Sequence, residues 1–338
     1  MKPARVFAGL TASTILTASL ALTPQAVADP TTPTSGDDTG TAPTSPYNYA
    51  AIGDSATVAG SWFHPEKNLC GRNKKDYPAI TASGTGLQLN EAACYNATSK
   101  NFQWTQPAGF GNSPNSPQIK AINKKTRLIT IQLGLRDIVG AGPTSLFSKC
   151  AASWGKQYAS MASGKLTELT GGPCRDRYEK STLEKFDGLE SHLAALYTAA
   201  KAHAGGNALV VAIGYMPIFN GTNTCWDGAF IPPRDRDFYN TIYDKLNRTI
   251  RQAARTAGIY SLVVSKNLAV RSACGAPGMR FTTFSGVPEA SYPMGPTVNG
   301  QAHIAATLEQ MWKDWKSTHS SLLSLIHISE PTRLGMIS

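Results

Sequence analysis

Two short apolar segments rich in β-branched residues constrain the fold of this chain more than any other feature of its sequence. They are LITIQL at residues 128–133 and ALVVAI at residues 208–213, and a glycine directly follows each. Continuous apolar runs of this length are typical of strands that are buried on both faces of a parallel sheet. Weaker versions occur at residues 49–52 and 260–264. These four segments predict a parallel sheet at the centre of the fold.

Helical periodicity separates the predicted strands. Apolar residues repeat every three to four positions between Phe186 and Ala200 and between Tyr239 and Ala257, and a last helix is predicted over residues 299–315. Strands that alternate with helices predict an α/β fold, here a three-layer α/β/α sandwich with a central parallel sheet. Ligands of such folds bind at the carboxyl ends of the strands.

The two ends of the chain differ in composition from this pattern. Two basic residues precede an apolar run that ends in the small-residue pattern AVA at residues 26–28, which is typical of a secretory cleavage site. Residues 29–46 are rich in Pro, Thr, Ser and Gly and lack large apolar side chains, and residues 323–333 resemble a translated library adapter. We therefore predict a signal peptide over 1–28, a flexible leader over 29–46, a domain over 47–318 and an artefactual tail over 323–338.

Six cysteines favour disulfide bonds over a metal site. None of them lies in a CxxC pair or at metal-ligand spacing from a histidine, and an exported chain meets an oxidising compartment. Three disulfides are expected, and the sequence alone allows 15 pairings. No metal and no cofactor are predicted. The cysteines are Cys70, Cys94, Cys150, Cys174, Cys225 and Cys274.

The formal net charge of +10 has two interpretations. The basic residues form an ordinary solvated surface, or they attract anionic polymers of the cell envelope or lipid head groups. Export and the lack of a nucleic-acid motif argue against a nucleic-acid partner, and no segment after the signal is long and apolar enough to span a membrane. A secreted monomer is expected. The basic clusters are Lys74-Lys75, Lys124-Lys125-Arg127 and Arg234-Arg236.

The tripeptide Gly53-Asp54-Ser55 follows the first predicted strand. Alone it is equally consistent with a turn in which Ser55 caps a helix. Its place in an ordered series of short motifs is more informative, and from residue 47 to residue 315 that series resembles the secreted SGNH hydrolases, also called GDSL esterases and lipases. The motifs are AIGDS at 51–55, Cys70 with YP at 77–78, ACYNAT at 93–98, TIQLGLRD at 130–137, GYMP at 214–217 and PTVNGQ at 296–301.

The resemblance implies a flavodoxin-like sandwich, cysteines paired in sequence order, and hydrolysis of a small-molecule, lipid or glycan ester through an acyl-enzyme. It also assigns four signature positions. Ser55 stands at the nucleophile, Asn96 and Arg136 stand where the family has the Gly and Asn of the oxyanion hole, and Gly295 stands where it has the base His. Tyr292 replaces the acidic residue that often precedes this His. Three of the four signature residues are therefore substituted.

These substitutions differ in their chemical consequences. A backbone amide persists at Asn96, and Asn is the residue other than Gly that best tolerates a positive φ. Arg136 offers five N–H donors in place of two. Gly295, however, has no side chain to accept the proton of Ser55, and losing such a base costs about 10⁶-fold in turnover. The substitutions predict impaired catalysis.

Two other functions remain open. The protein can be an active esterase with a substitute base, for which His64, nine residues after Ser55, is the first candidate. It can also be a non-catalytic lipid-binding or glycan-binding protein of the cell envelope. The remaining histidines of the domain, His192, His203 and His303, are predicted to serve packing or to lie at the surface, and His319 adjoins the predicted tail.

Overall fold

A five-stranded sheet, parallel throughout, lies at the centre of the computed structural model, which describes residues 47–59, 70–109, 114–165, 171–219, 225–263 and 271–319. Its strand order is β2-β1-β3-β4-β5. All four neighbouring pairs are parallel, as the apolar segments predict. The strands are β1 (Asn48–Gly53), β2 (Gln88–Glu91), β3 (Thr126–Gln132), β4 (Leu209–Ile213) and β5 (Tyr260–Leu262).

Seven α-helices accompany the sheet in the described part of the chain. They are α1 (Tyr77–Thr85), α2 (Leu135–Val139), α3 (Leu146–Ala162), α4 (Pro173–Leu183), α5 (Leu189–His203), α6 (Pro233–Thr256) and α7 (Val298–Thr318). A two-stranded antiparallel sheet, β6 (Thr282–Thr283) with β7 (Gly295–Pro296), precedes α7.

The alternation of side chains along the strands divides the core into two layers. In β1, Tyr49 and Ala51 belong to an apolar cluster with residues of α1 and α7, whereas Ala50 and Ile52 belong to a second cluster with residues of α3, α5 and α6. Successive side chains of a strand point to opposite faces of the sheet. The sheet is therefore covered by helices on both faces, and the predicted three-layer α/β/α sandwich is confirmed.

Three disulfide bonds are present, and they pair the cysteines in sequence order, as the resemblance implies. They join Cys70 to Cys94, Cys150 to Cys174, and Cys225 to Cys274. The second connects α3 to α4. None of the helices in the described ranges is long and apolar enough to cross a bilayer.

The basic clusters do not face solvent as complete patches. Arg127 and Arg236 are both buried, and Arg127 donates hydrogen bonds to the backbone carbonyls of Lys124 and Thr126. Arg234 is exposed and pairs with Asp176. The exposed lysines therefore account for most of the positive charge that these clusters present at the surface.

Candidate active site

The turn after β1 places Ser55 at the carboxyl end of a central strand. A Cβ added to Gly53 would lie 1.8 Å from Thr57 Oγ1, so any larger residue at this position would collide with the Thr57 side chain. The Gln118 amide holds both backbone groups of Gly53, at 2.9 Å to its N–H and 3.0 Å to its carbonyl. Residues 55–57 form a turn and no helix begins at Ser55. The capping role considered from the sequence is therefore wrong.

Two N–H donors meet at the Ser55 hydroxyl. The backbone N–H of Asn96 donates to Ser55 Oγ at 2.9 Å, and Arg136 Nε donates to the same atom at 3.2 Å. Asn96 has a φ of 64°, the left-handed conformation that asparagine tolerates. The fold thus brings together the three residues that stand at the nucleophile and oxyanion-hole positions of the family that the sequence resembles.

Asp54, which directly precedes Ser55, is a fully buried residue with a carboxyl group. It accepts hydrogen bonds from the Tyr215 hydroxyl at 2.8 Å and from the Ala56 N–H at 2.9 Å. Burial raises the pKa of Asp54 from 3.8 to about 6, although the positive charge of Arg136 and the two hydrogen bonds oppose the rise. Near neutral pH, the buried negative charge of Asp54 therefore lowers the stability of the fold.

The raised pKa of Asp54 predicts a loss of stability as pH rises. A carboxyl with a folded pKa above its unfolded value stabilises the fold most below pH 3.8, and this contribution disappears as pH rises through 6. The expected loss is about 3 kcal/mol. Other carboxyls titrate in the same range, so the effect of Asp54 must be separated from theirs. We expect the difference in free energy of unfolding between wild type and Asp54→Asn, measured with urea from pH 4 to 7, to show this loss. A difference that is constant across this range would contradict the raised pKa.

Residues 284–295, which connect β6 to the first residue of β7 and which we call the Gly295 loop, pack against the residues that follow Ser55. A Cβ added to Gly295 would lie 3.2 Å from the Ala59 Cβ, and the Tyr292 ring contacts the Tyr95 ring at 5.5 Å between centroids. The Arg136 guanidinium lies 5.8 Å from the same Tyr95 ring. Position 295 is therefore beside the Ser55 turn, but it carries no side chain that can take a proton.

No histidine in the described part of the chain hydrogen-bonds to Ser55. Residues 60–69, which include the candidate base His64, lie outside the described residues. On α7, Gln301 donates to the Ala56 carbonyl, and His303 lies about 200° further round the helix, where it stacks on Phe281. His319 stacks on Trp315, and His192 and His203 are exposed. Within the same ranges, no group of three His, Cys, Asp or Glu residues is placed to hold a metal ion.

A buried ion-pair network supports the Gly295 loop, and no pattern in the sequence predicts it. Arg280 is fully buried and bonds to both Asp227 and Glu289. Asp227 also accepts from the Thr283 hydroxyl and the Phe284 N–H. Burial raises the pKa of Glu289, but the bonds from Arg280 and Gly278 outweigh this effect, and the pKa lies below its ordinary value.

Comparison with known proteins connects this geometry to one family. A family model described as GDSL-like Lipase/Acylhydrolase matches residues 51–286. The chain is 27% identical over 268 residues to Lipase 2 of Streptomyces coelicolor, a match that covers 76% of this chain and 83% of the relative.

Two solved structures share the fold. An extracellular lipase from Streptomyces rimosus superposes with a TM-score of 0.55 and 23% identity, covering 75% of this chain and 94% of the lipase. A phospholipase A1 from Streptomyces albidoflavus superposes with a TM-score of 0.53 and 21% identity, covering 76% and 94%.

Proposed function

Because the chain belongs to the GDSL-like lipase/acylhydrolase family, we propose that it is a secreted SGNH-type protein with impaired ester hydrolysis that retains a binding site for an acyl ligand. One observation carries this proposal. Ser55 Oγ accepts two hydrogen bonds, while position 295, where the family has its base, carries no side chain.

A serine hydroxyl attacks an ester only when a base takes its proton. Attack forms the bond between Oγ and the carbonyl carbon, and the hydroxyl proton must leave at the same time. In this chain Oγ accepts hydrogen bonds from the N–H groups of Asn96 and Arg136, which occupy its two lone pairs. This lowers the nucleophilicity of the oxygen. Losing the base of such a unit costs about 10⁶-fold, and donors with binding alone leave about 10³ to 10⁴ over water.

Hydrogen-bond donors for an acyl oxygen persist at this site, whereas the base that would activate Ser55 is absent from position 295. The N–H groups of Asn96 and Arg136 converge on Ser55 Oγ at the carboxyl end of β1, where ligands of α/β folds bind, and Arg136 Nη2 has no acceptor among the described residues. Binding therefore survives the substitutions better than turnover. Three disulfides and the predicted signal peptide support secretion, as does the likeness to an extracellular lipase.

Covalent labelling with a fluorophosphonate tests the proposal, because this reagent phosphonylates an activated serine. We expect no labelling of Ser55 under conditions that fully label an active serine hydrolase. Stoichiometric labelling that is lost in Ser55→Ala would contradict impaired catalysis. If this labelling is also lost in His64→Ala but kept in His303→Ala, His64 is the substitute base.

A further inference from the structure

We infer that the site formed by Ser55, Asn96 and Arg136 binds the carboxylate of a free acid in preference to an uncharged ester. We call these three residues the donor cluster. The inference rests on the proposed function, because a site that hydrolysed esters would release the acid rather than retain it.

The Ser55 hydroxyl has one hydrogen-bonding capacity left, and it is a donor. Its oxygen has two lone pairs and one proton, and both lone pairs already accept hydrogen bonds from the N–H groups of Asn96 and Arg136. Ser55 is 6% exposed, and no residue in the described ranges accepts its proton. A buried donor without an acceptor is costly, so the hydroxyl favours a ligand that supplies an acceptor oxygen.

Arg136 adds further donors to the same site. Its Nε bonds to Ser55 and its Nη1 to the Gly140 carbonyl at 3.3 Å, and among the described residues no acceptor lies at Nη2 and no carboxylate pairs with the guanidinium. Asp54 provides a negative charge nearby, but its oxygens accept from Tyr215 and Ala56 instead. The donor cluster therefore presents the Ser55 O–H and the Nη2 group of Arg136 to a ligand, together with one positive charge.

Arg280 shows how the same chain treats a guanidinium whose partners are present. It bonds to the carboxylates of Asp227 and Glu289, so its charge is already paired within the protein. At Arg136 the corresponding carboxylate is missing from the described residues. A ligand carboxylate completes this pattern, because its two oxygens match adjacent donors and the bonds are charge-assisted. An ester offers one uncharged carbonyl oxygen and gains less.

Calorimetric titration of the intact, disulfide-bonded protein tests this inference. Sodium hexanoate and methyl hexanoate share one acyl chain and differ in charge, so they isolate the head group. We expect hexanoate to bind at least about tenfold more tightly than its methyl ester. In Arg136→Gln we expect hexanoate affinity to fall about 10- to 100-fold. Arg251→Gln, which removes an equal charge from the exposed face of α6, is the matched control and should not change the affinity.

Three results would overturn the inference. They are equal affinity for acid and ester, unchanged hexanoate affinity in folded Arg136→Gln, and no heat of binding with hexanoate. If Arg136→Gln does not fold, Arg136→Lys replaces it, and its loss of the planar donor pair should still weaken hexanoate binding. Acid release from methyl hexanoate is measured in the same samples. Rapid release would overturn the proposed function, whereas weak hexanoate binding without release would overturn this inference alone.

Discussion

Replacing Gly295 with histidine is expected to raise esterase turnover by at least about 100-fold, because general base catalysis contributes about 10² to 10⁴. The new imidazole would stand on a loop that already packs beside the Ser55 turn, so it supplies the missing acceptor for the Ser55 proton. The gain should remain below a full family activity, because Tyr292 cannot orient an imidazole as a carboxylate would. Hydrolysis of p-nitrophenyl butyrate measures the effect.

The structure also shows how to improve this variant. A Cβ at position 295 would lie 3.2 Å from the Ala59 Cβ and 3.2 Å from the Tyr292 carbonyl oxygen, which is tighter than ordinary contact. Adding Ala59→Gly removes the first of these contacts and should raise turnover further. Arg136→Asn and Asn96→Gly, added to Gly295→His, then restore the remaining signature positions.

Two controls make the comparison specific. Gly155→His places the same side chain on the exposed face of α3, where an added Cβ meets nothing within 4 Å, and it should not change turnover. Ser55→Ala, combined with Gly295→His, should abolish the gain. Folded Gly295→His proteins that show no gain, with and without Ala59→Gly, would show that a missing base is not the main deficit.

Replacing Arg280 with methionine is expected to lower the free energy of unfolding by about 3 to 5 kcal/mol. The substitution removes the fully buried cation that pairs with Asp227 and Glu289, and it leaves two carboxylates without their partner. It also loses the bonds from Arg280 to the Ala273 and Val287 carbonyls, which connect the Gly295 loop to the segment around Ala273. Urea unfolding with the disulfides intact measures the loss.

The melting temperature provides a second measurement of the same effect. At about 2 to 4 °C per kcal/mol for a domain of this size class, Arg280→Met should melt roughly 10 °C lower. Arg248→Met, on the exposed side of α6, is the matched control and should change stability by less than about 0.5 kcal/mol. Equal stability of the two variants would mean that the buried network does not hold the loop.

The sequence predicts the central strands well because burial on both faces leaves a clear signal. All residues of β3 and β4 are buried, and the predicted segments agree with them to within two residues. The strand β2, with the sequence QLNE, escapes prediction because Leu89 is its only apolar residue, so it forms no apolar run. Apolar segments therefore identify four of the five strands, including β5 at the other edge of the sheet, and miss β2.

The sequence predicts which residues meet at the site but not how they bond. The strand-end rule and the family resemblance place Ser55, Asn96 and Arg136 together. The direction of Arg136 Nε toward Ser55 Oγ depends on tertiary contacts, including the nearby Tyr95 ring, and no local pattern encodes it. The same applies to Gln118, whose amide holds Gly53 from 65 residues away.

Turnover of p-nitrophenyl butyrate by the purified wild-type protein, compared with Ser55→Ala, tests the absence of a working base most directly. We expect the two proteins to hydrolyse the ester at the same low rate, because without a base the Ser55 hydroxyl adds nothing to the donors that surround it. A wild-type rate in the usual enzyme range of about 1 to 10³ per second that disappears in Ser55→Ala would contradict the account.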